Sequence, residues 1–412
     1  MAGGGGNGGE SGSPALEPLS GNPKYAVVSS DFSSSSIAML DADFVPVDES
    51  WVNSGTTYPG LVATLSGDVV LPTRQSGDGT LTVLDRFFTD VVTRFFVPSG
   101  NLNGQVRTHG DLGDTGFSSN PQDFLFVHEH SAWVPRYEVN SSPSASLENK
   151  GNDLLEIDPS DMSRTGERID LSSLNTTGTV TTGNGPIEVD VFARPSRGAR
   201  AGSKLLVGLD RISADFDAAG SGMVALVDLG DQSVRGLELP GLASCGRLVP
   251  VPAAPSKFVV ACVGFAVPFG DEPQVRASSG IVLLGVGETD VTVEETWRVA
   301  DHPGDPIAVN AVIAIDSRRV LGVANGDFGE NPDRLFLIDL ASGKQELVYE
   351  ATGSFVIGEA AYDPDSEMLY VPDAAENAVL HFAADEDDFI EIGSSAVAAG
   401  IGLPPTKVYL LD

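Results

Sequence analysis

Apolar and polar residues along this chain alternate or fall into short blocks, and the spacing of a long amphipathic helix is absent throughout. One block recurs, an apolar run that ends in Asp. It reads IAMLD at 37–41, LTVLD at 81–85, LLEID at 154–158, VALVD at 224–228 and LFLID at 335–339, with weaker copies IVLLG at 281–285 and VLHFA at 379–383. The last residues of these seven blocks lie 44, 73, 70, 57, 54 and 44 apart. Turn residues follow the Asp, as expected for a short side chain that accepts bonds from the next backbone amides. An apolar run precedes each block: YAVVSS (25–30), DVVLPT (68–73), AWVPRY (132–137), KLLVGL (204–209), KFVVAC (257–262), RVLGVA (319–324) and MLYVPD (368–373). Alternating segments such as TDVVTRFFV (89–97) and VTVEETWRV (291–299) follow it, and DFLFV (123–127), IEVDVFA (187–193), RLVPV (247–251), AVNAVIAI (308–315) and VIGEAAY (356–362) supply a leading strand.

A unit of four strands repeating every 44 residues or more predicts an all-β, seven-bladed β-propeller; two blocks lack the Asp, so six or eight blades stay open. The first unit has no leading strand, and 403–411 is a strand without a successor. The C-terminal strand is therefore expected to complete the first blade and close the ring, which removes an exposed sheet edge. Residues 1–22 are rich in Gly and Ser and read as a disordered tether, with the propeller over 23–412.

The run Tyr362-Asp363-Pro364-Asp365, Leu369-Tyr370-Val371-Pro372-Asp373 and Glu376-Asn377-Ala378-Val379 resembles a blade of the YVTN and NHL propeller families. Phe124–Tyr137 with Leu154–Asp158 is similar to blades of bacterial extracytoplasmic YVTN-type propellers, many of them lipoproteins. The resemblance implies a fold and not an activity, since these families mix protein binders, ligand binders and hydrolases.

Charge narrows the partners. Twenty-four Lys and Arg stand against 58 Asp and Glu, a formal net charge of −34, and only six of the cations are Lys. That balance excludes a phosphate-tracking nucleic-acid binder and disfavours anionic lipid. It suits both a salt-rich environment and a merely soluble surface. No apolar run is long enough for a transmembrane helix. The Gly-rich start resembles the mature region of a bacterial lipoprotein, with a lipid anchor on the native precursor, and so points to the periplasm or cell surface, with an outer-membrane lipoprotein as the specific expectation. Cys245 and Cys262 flank a turn at 252–256, opposite each other on a hairpin centred near 253.5, and are expected to form a disulfide.

Loops joining the second and third strands are long in blades 3, 4 and 5, and loops on one face of a rigid scaffold are the usual place for function. Ligand-binding candidates there are Arg74, Arg136, Tyr137, Asp210, Arg211, Phe216, Phe269 and Phe328, with Arg136 and Arg211 as forks for carboxylate or phosphate. The oxygen-rich run Asn325–Asn331, including Asp327, suits calcium. Channel-mouth metal candidates are Asp31, Asn325, Glu359 and Asp373. His128-Glu129-His130 falls on an opposite-face turn and reads as solvated. No nucleophile elbow, phosphate loop or dinucleotide fingerprint is present. The leading expectation is a non-enzymatic extracytoplasmic protein that binds a protein, glycan or small ligand. The alternative is a metal-dependent hydrolase similar to lactonase-type propellers.

Overall fold

The computed structural model describes residues 16, 18–86, 88–97, 99–110, 117–267, 272–288, 290–302, 308–326, 331–385, 388–398 and 400–411. Seven four-stranded antiparallel sheets follow one another along the chain, each an up-and-down meander. The middle strands of each sheet are buried on both faces, so apolar residues on both faces carry their signal and the small polar residues among them, such as Ser29, Ser36 and Thr82, are buried as well, as in Tyr25–Ser30, Ser35–Leu40 and Thr80–Asp85. Outer strands such as Val234–Leu239 and Asp388–Ser395 are largely exposed and polar.

Seven clusters of buried apolar side chains fill the gaps between successive sheets. One of them joins the last sheet to the first: Tyr25, Val27 and Leu40 pack with Tyr370, Val379 and Val408. The ring is therefore closed, and the fold is an all-β propeller. The C-terminal strand Pro405–Leu410 pairs antiparallel with Tyr25–Ser30 and is the innermost strand of the first blade, as the unmatched chain ends predict. The single described α-helix, Glu272–Ser278, lies in the long loop of blade 5.

Two expectations need correction. In blade 2 the LTVLD block is the second strand and not the third. Its inner strand is the two-residue Val69–Val70, and Asn101–Arg107 forms the outer edge, paired with Val91–Phe96 at six positions. Asn101–Arg107 carries few apolar residues because it faces water, so its hydrophobic signal is weak. In blade 4, IEVDVFA is not the inner strand. Gly185–Phe192 pairs with Thr176–Thr182 and, at its base, with Ile212–Ser213, forming an additional three-stranded sheet. The inner place belongs to Pro195–Ala201, whose Pro, Gly and two Arg conceal it. Leu16, in the Gly- and Ser-rich N-terminal stretch, is buried against the core between blades 1 and 2.

Cys245 and Cys262 form the expected disulfide. The hairpin pairs Arg247 with Ala261, slightly offset from the predicted centre. His128 and His130 lie on an exposed turn, where His130 Nδ1 is 3.3 Å from Asp158.

Candidate functional site in the central channel

Each meander starts at the ring axis. Loops between second and third strands therefore share one face with the crossings from blade to blade, and the inner strands begin at that face. The inner strands enclose a cavity of about 610 Å³. Its charged lining inverts the composition of the chain: Arg74, Arg197, Arg200 and Arg247 face it with a single carboxylate, Glu359.

Local backbone irregularities position these groups. Register shifts between Pro195 and Gly198, a bulge of the kind that re-aims side chains, and Arg197 lies inside it. Arg197 donates to the Leu71 carbonyl at 2.7 Å, and its other terminal nitrogen is 3.3 Å from Glu359 Oε2. Glu359 precedes the inner strand of blade 7 and forms a parallel bridge with Lys407 of the C-terminal strand. Its amide donates to the Thr406 carbonyl, and its own carbonyl accepts from the Val408 amide, both at 2.9 Å. Gly358 permits this approach, because a Cβ there would stand 1.8 Å from the Thr406 carbonyl oxygen.

Three cations surround the Glu359 carboxylate. Arg197 and Lys407 are 3.3 Å away and Arg247 is 3.7 Å away. The Tyr409 hydroxyl donates to Oε2 at 3.1 Å. Burial alone would raise the Glu359 carboxyl, but Lys407, Arg197, Arg247 and the more distant Arg86 hold it well below the usual range. Burial, with the neighbouring guanidinium groups, moves Lys407 the other way, down to about 7. Burial and the Glu359 charge push the Tyr409 hydroxyl up, so it stays a donor.

Asp123 anchors the strand ends around this cluster. It accepts from the Thr73 amide at 2.9 Å, the Thr73 hydroxyl at 2.6 Å, the Phe124 amide at 2.8 Å and the Gly198 amide at 3.0 Å. It thereby ties together blades 2, 3 and 4. Arg247 keeps more than a third of its side-chain surface open, at 37%. A guanidinium with one loose ion pair and exposed donors can receive a further carboxylate or phosphate.

The residues expected from sequence are distributed differently. Arg136 is committed to the fold: it makes a bidentate pair with Asp153, both contacts 2.7 Å, and also donates to the Thr108 and Glu148 carbonyls. Arg211 is buried and donates to the Ser221 carbonyl. Neither is a fork facing the cavity. Tyr137 and Asp210 stand at the edge of the channel cluster. Burial raises the Asp210 carboxyl against Arg247, the Tyr137 hydroxyl and the Gly246 amide. Phe216 lies over Arg194, 4.5 Å from the guanidinium to the ring centroid. Arg74 lines the cavity.

Of the metal candidates, Asp31 is exposed and accepts from the Ser33 and Ser34 amides. Asp373 is buried and accepts from the Tyr349 hydroxyl and the amides of Ala375 and Glu376. Asn325 is half-buried and Glu359 belongs to the cationic cluster. Phe269, Asp327 and Phe328 lie outside the described residues. Among the described residues no three His, Cys, Asp or Glu side chains are grouped to hold a metal ion.

Sequence reasoning missed Arg197, Arg247, Lys407 and Tyr409. A signal existed. In so acidic a chain, cations inside inner strands, as in PSRGARA, RLVPV and PTKVYL, are out of place unless they face something anionic.

No family model and no curated protein sequence matches this chain. Solved structures do resemble it. The periplasmic gluconolactonase PpgL of Pseudomonas aeruginosa superposes with a TM-score of 0.54 at 15% identity, over 95% of this chain and 99% of that one. A functionally unknown protein from Desulfotomaculum acetoxidans gives 0.53 at 12% identity, with 95% and 99% covered. The dihydro-heme d1 dehydrogenase NirN gives 0.51 at 14% identity, over 96% of this chain and 77% of that chain. At these identities the likeness is one of fold, and it places this chain among the β-propellers.

Proposed function

We propose that this protein binds a small anionic ligand at the mouth of its central channel, outside the cytoplasm. One observation carries the reading: four Arg and a single carboxylate face the cavity of a chain whose formal charge is −34. Maintaining that inversion is costly to folding, because like charges are gathered in a half-buried space. An arriving carboxylate or phosphate relieves the cost and is held by charge-assisted bonds. The Cys245–Cys262 disulfide supports an oxidising compartment. The periplasmic gluconolactonase among the structural neighbours is consistent with that placement.

The test is isothermal titration with gluconate and with inorganic phosphate at low ionic strength. At least one anion is expected to bind, and Arg247→Gln is expected to weaken it at least tenfold while leaving the melting temperature unchanged. Absence of binding by either anion at millimolar concentration would count against the reading.

A hydrolytic role for the same cavity is the second reading. It rests on Glu359, a carboxylate held ionised beside the Tyr409 hydroxyl, a pairing able to polarise water against a bound ester or lactone. Turnover of gluconolactone that is abolished in Glu359→Gln would favour it over simple binding.

A further inference from the structure

The two sides of the channel cavity differ in chemistry. Arg74, Arg197 and Arg200 line it from blades 2 and 4. Arg247 and Glu359 stand where the inner strands of blades 5 and 7 begin. From there the cavity runs along the inner strands to Pro252 and Pro364, in the turns between first and second strands on the opposite face. Among the described lining residues of blades 6, 7 and 1, Glu359 alone carries a charge, and the other side chains are carbon except for two tyrosine hydroxyls. On this side Val249, Ala311, Ile313, Ala360, Tyr362 and Leu410 are half-buried, packed against the blade cores and lining the cavity.

The cations differ in what they can receive. Arg197 is buried and engaged by the Leu71 carbonyl and Glu359, and Arg200 donates to the Val127 and Gly202 carbonyls. Arg247, open and loosely paired, is the guanidinium available to a head group. Glu359, ionised and 3.7 Å from Arg247, repels a dianion more strongly than a monoanion, which favours a carboxylate over a phosphate. The apolar side governs the rest of the ligand. The four residue steps from Arg247 to Val251 span about 13 Å at the usual strand rise. Hydroxyl groups laid along that length would lose water without gaining side-chain partners. A hydrocarbon chain displaces water from the same wall, and each fully buried methylene strengthens binding about fourfold.

We infer that the ligand is an aliphatic carboxylate, with its head on Arg247 and its hydrocarbon chain along the inner strands of blades 5, 6, 7 and 1. This rests on the anion-binding reading and narrows it, because sugar acids and inorganic phosphate become the weaker ligands.

The probes are octanoate, acetate, gluconate and 1-octanol, each titrated calorimetrically into the full chain at low ionic strength, with octanoate below its micellar range. Octanoate is expected to bind at one equivalent per chain, at least tenfold more tightly than the other three. In V249T/I313T, which keeps the bulk of the wall and adds hydroxyls, the preference for octanoate over acetate should fall at least fivefold. The melting temperature reports whether that variant folds, and the comparison of probes on the wild-type chain stands without it. Equal affinity for octanoate, acetate and gluconate would overturn the inference and leave the anion reading intact. Octanol binding as tightly as octanoate, with octanoate binding unchanged in Arg247→Gln, would overturn the anion reading and the inference together, as would binding by none of the four. Several equivalents of octanoate per chain, or an unaltered preference in folded V249T/I313T, would overturn the placement along this wall.

Discussion

Ring closure rests on one strand, and its removal can be worked through. Deleting residues 404–412 removes the pairing of Pro405–Leu410 with Tyr25–Ser29 at five positions. It also removes backbone bonds from Ser30 to Pro404, Glu359 to Thr406, Val408 to Glu359 and Leu411 to Lys24. The Thr406 hydroxyl bond to the Val28 carbonyl and the Tyr409 bond to Glu359 go with them. About ten hydrogen bonds at ~1 kcal/mol net each, plus about 2 kcal/mol for burying Val408, give a loss of roughly 10 kcal/mol. That equals the whole stability of a typical domain, about 5–15 kcal/mol. The truncated chain should therefore lose its cooperative transition. Urea unfolding followed by circular dichroism and by tryptophan fluorescence reads this directly, since Trp51 is buried in the core between blades 1 and 2. The full chain should give coincident curves, and the truncated chain shallow, separated ones. A peptide spanning 404–411, added in excess, should restore coincidence. A truncated chain unfolding in one step with the midpoint and slope of the full chain would refute the reasoning.

Two further predictions concern other parts of the ring. Cys245 and Cys262 are 17 residues apart, so replacing both with Ser should lower stability by about 3 kcal/mol, read as a fall in the urea midpoint with little change in slope. Burial would raise the Asp363 carboxyl, but Lys24, Ser366 and Tyr25 hold it down at about 2. Its unfolded value is near 3.8, so this group's stability is present above about pH 4 and lost as pH falls through about 2, amounting to about 2 kcal/mol. Asp363→Asn should flatten the melting temperature against pH between those limits; an unchanged acid limb would contradict the assignment.

Much of the fold was legible because the middle strands of a blade are buried on both sides. Blocks such as VALVD and LFLID announce themselves, and the missing first strand of blade 1 pointed to the C-terminus. What failed failed for the same reason. Asn101–Arg107 and Pro195–Ala201 lie at the outer edge and at the axis, where one side meets water or the channel, so their apolar content is low. Composition favoured IEVDVFA as an inner strand because β-propensity marks strands without saying which sheet they join. The site was less legible still. Long loops drew attention to Arg136, and nothing local reveals that Asp153 awaits it on the neighbouring strand. Glu359 suits a channel-mouth metal by its charge and its expected place near the axis, but sequence does not show which groups converge on it. Its true neighbours come from blades 4 and 5 and from the C-terminal strand, a convergence that only the closed ring produces.

The pairing of Tyr25–Ser30 with Pro405–Leu410 also sets a timetable for biosynthesis. Blades 2 to 7 can form in order as the chain leaves the ribosome, but the first blade waits for a strand synthesised after all the others. Until then the edge of Tyr25–Ser30 stands open, and Lys407 and Tyr409 have not reached Glu359. The nascent protein is thus prevented from completing either its ring or the cationic cluster around Glu359 before the final strand arrives. Closure before synthesis is complete is hindered by the order of the strands themselves.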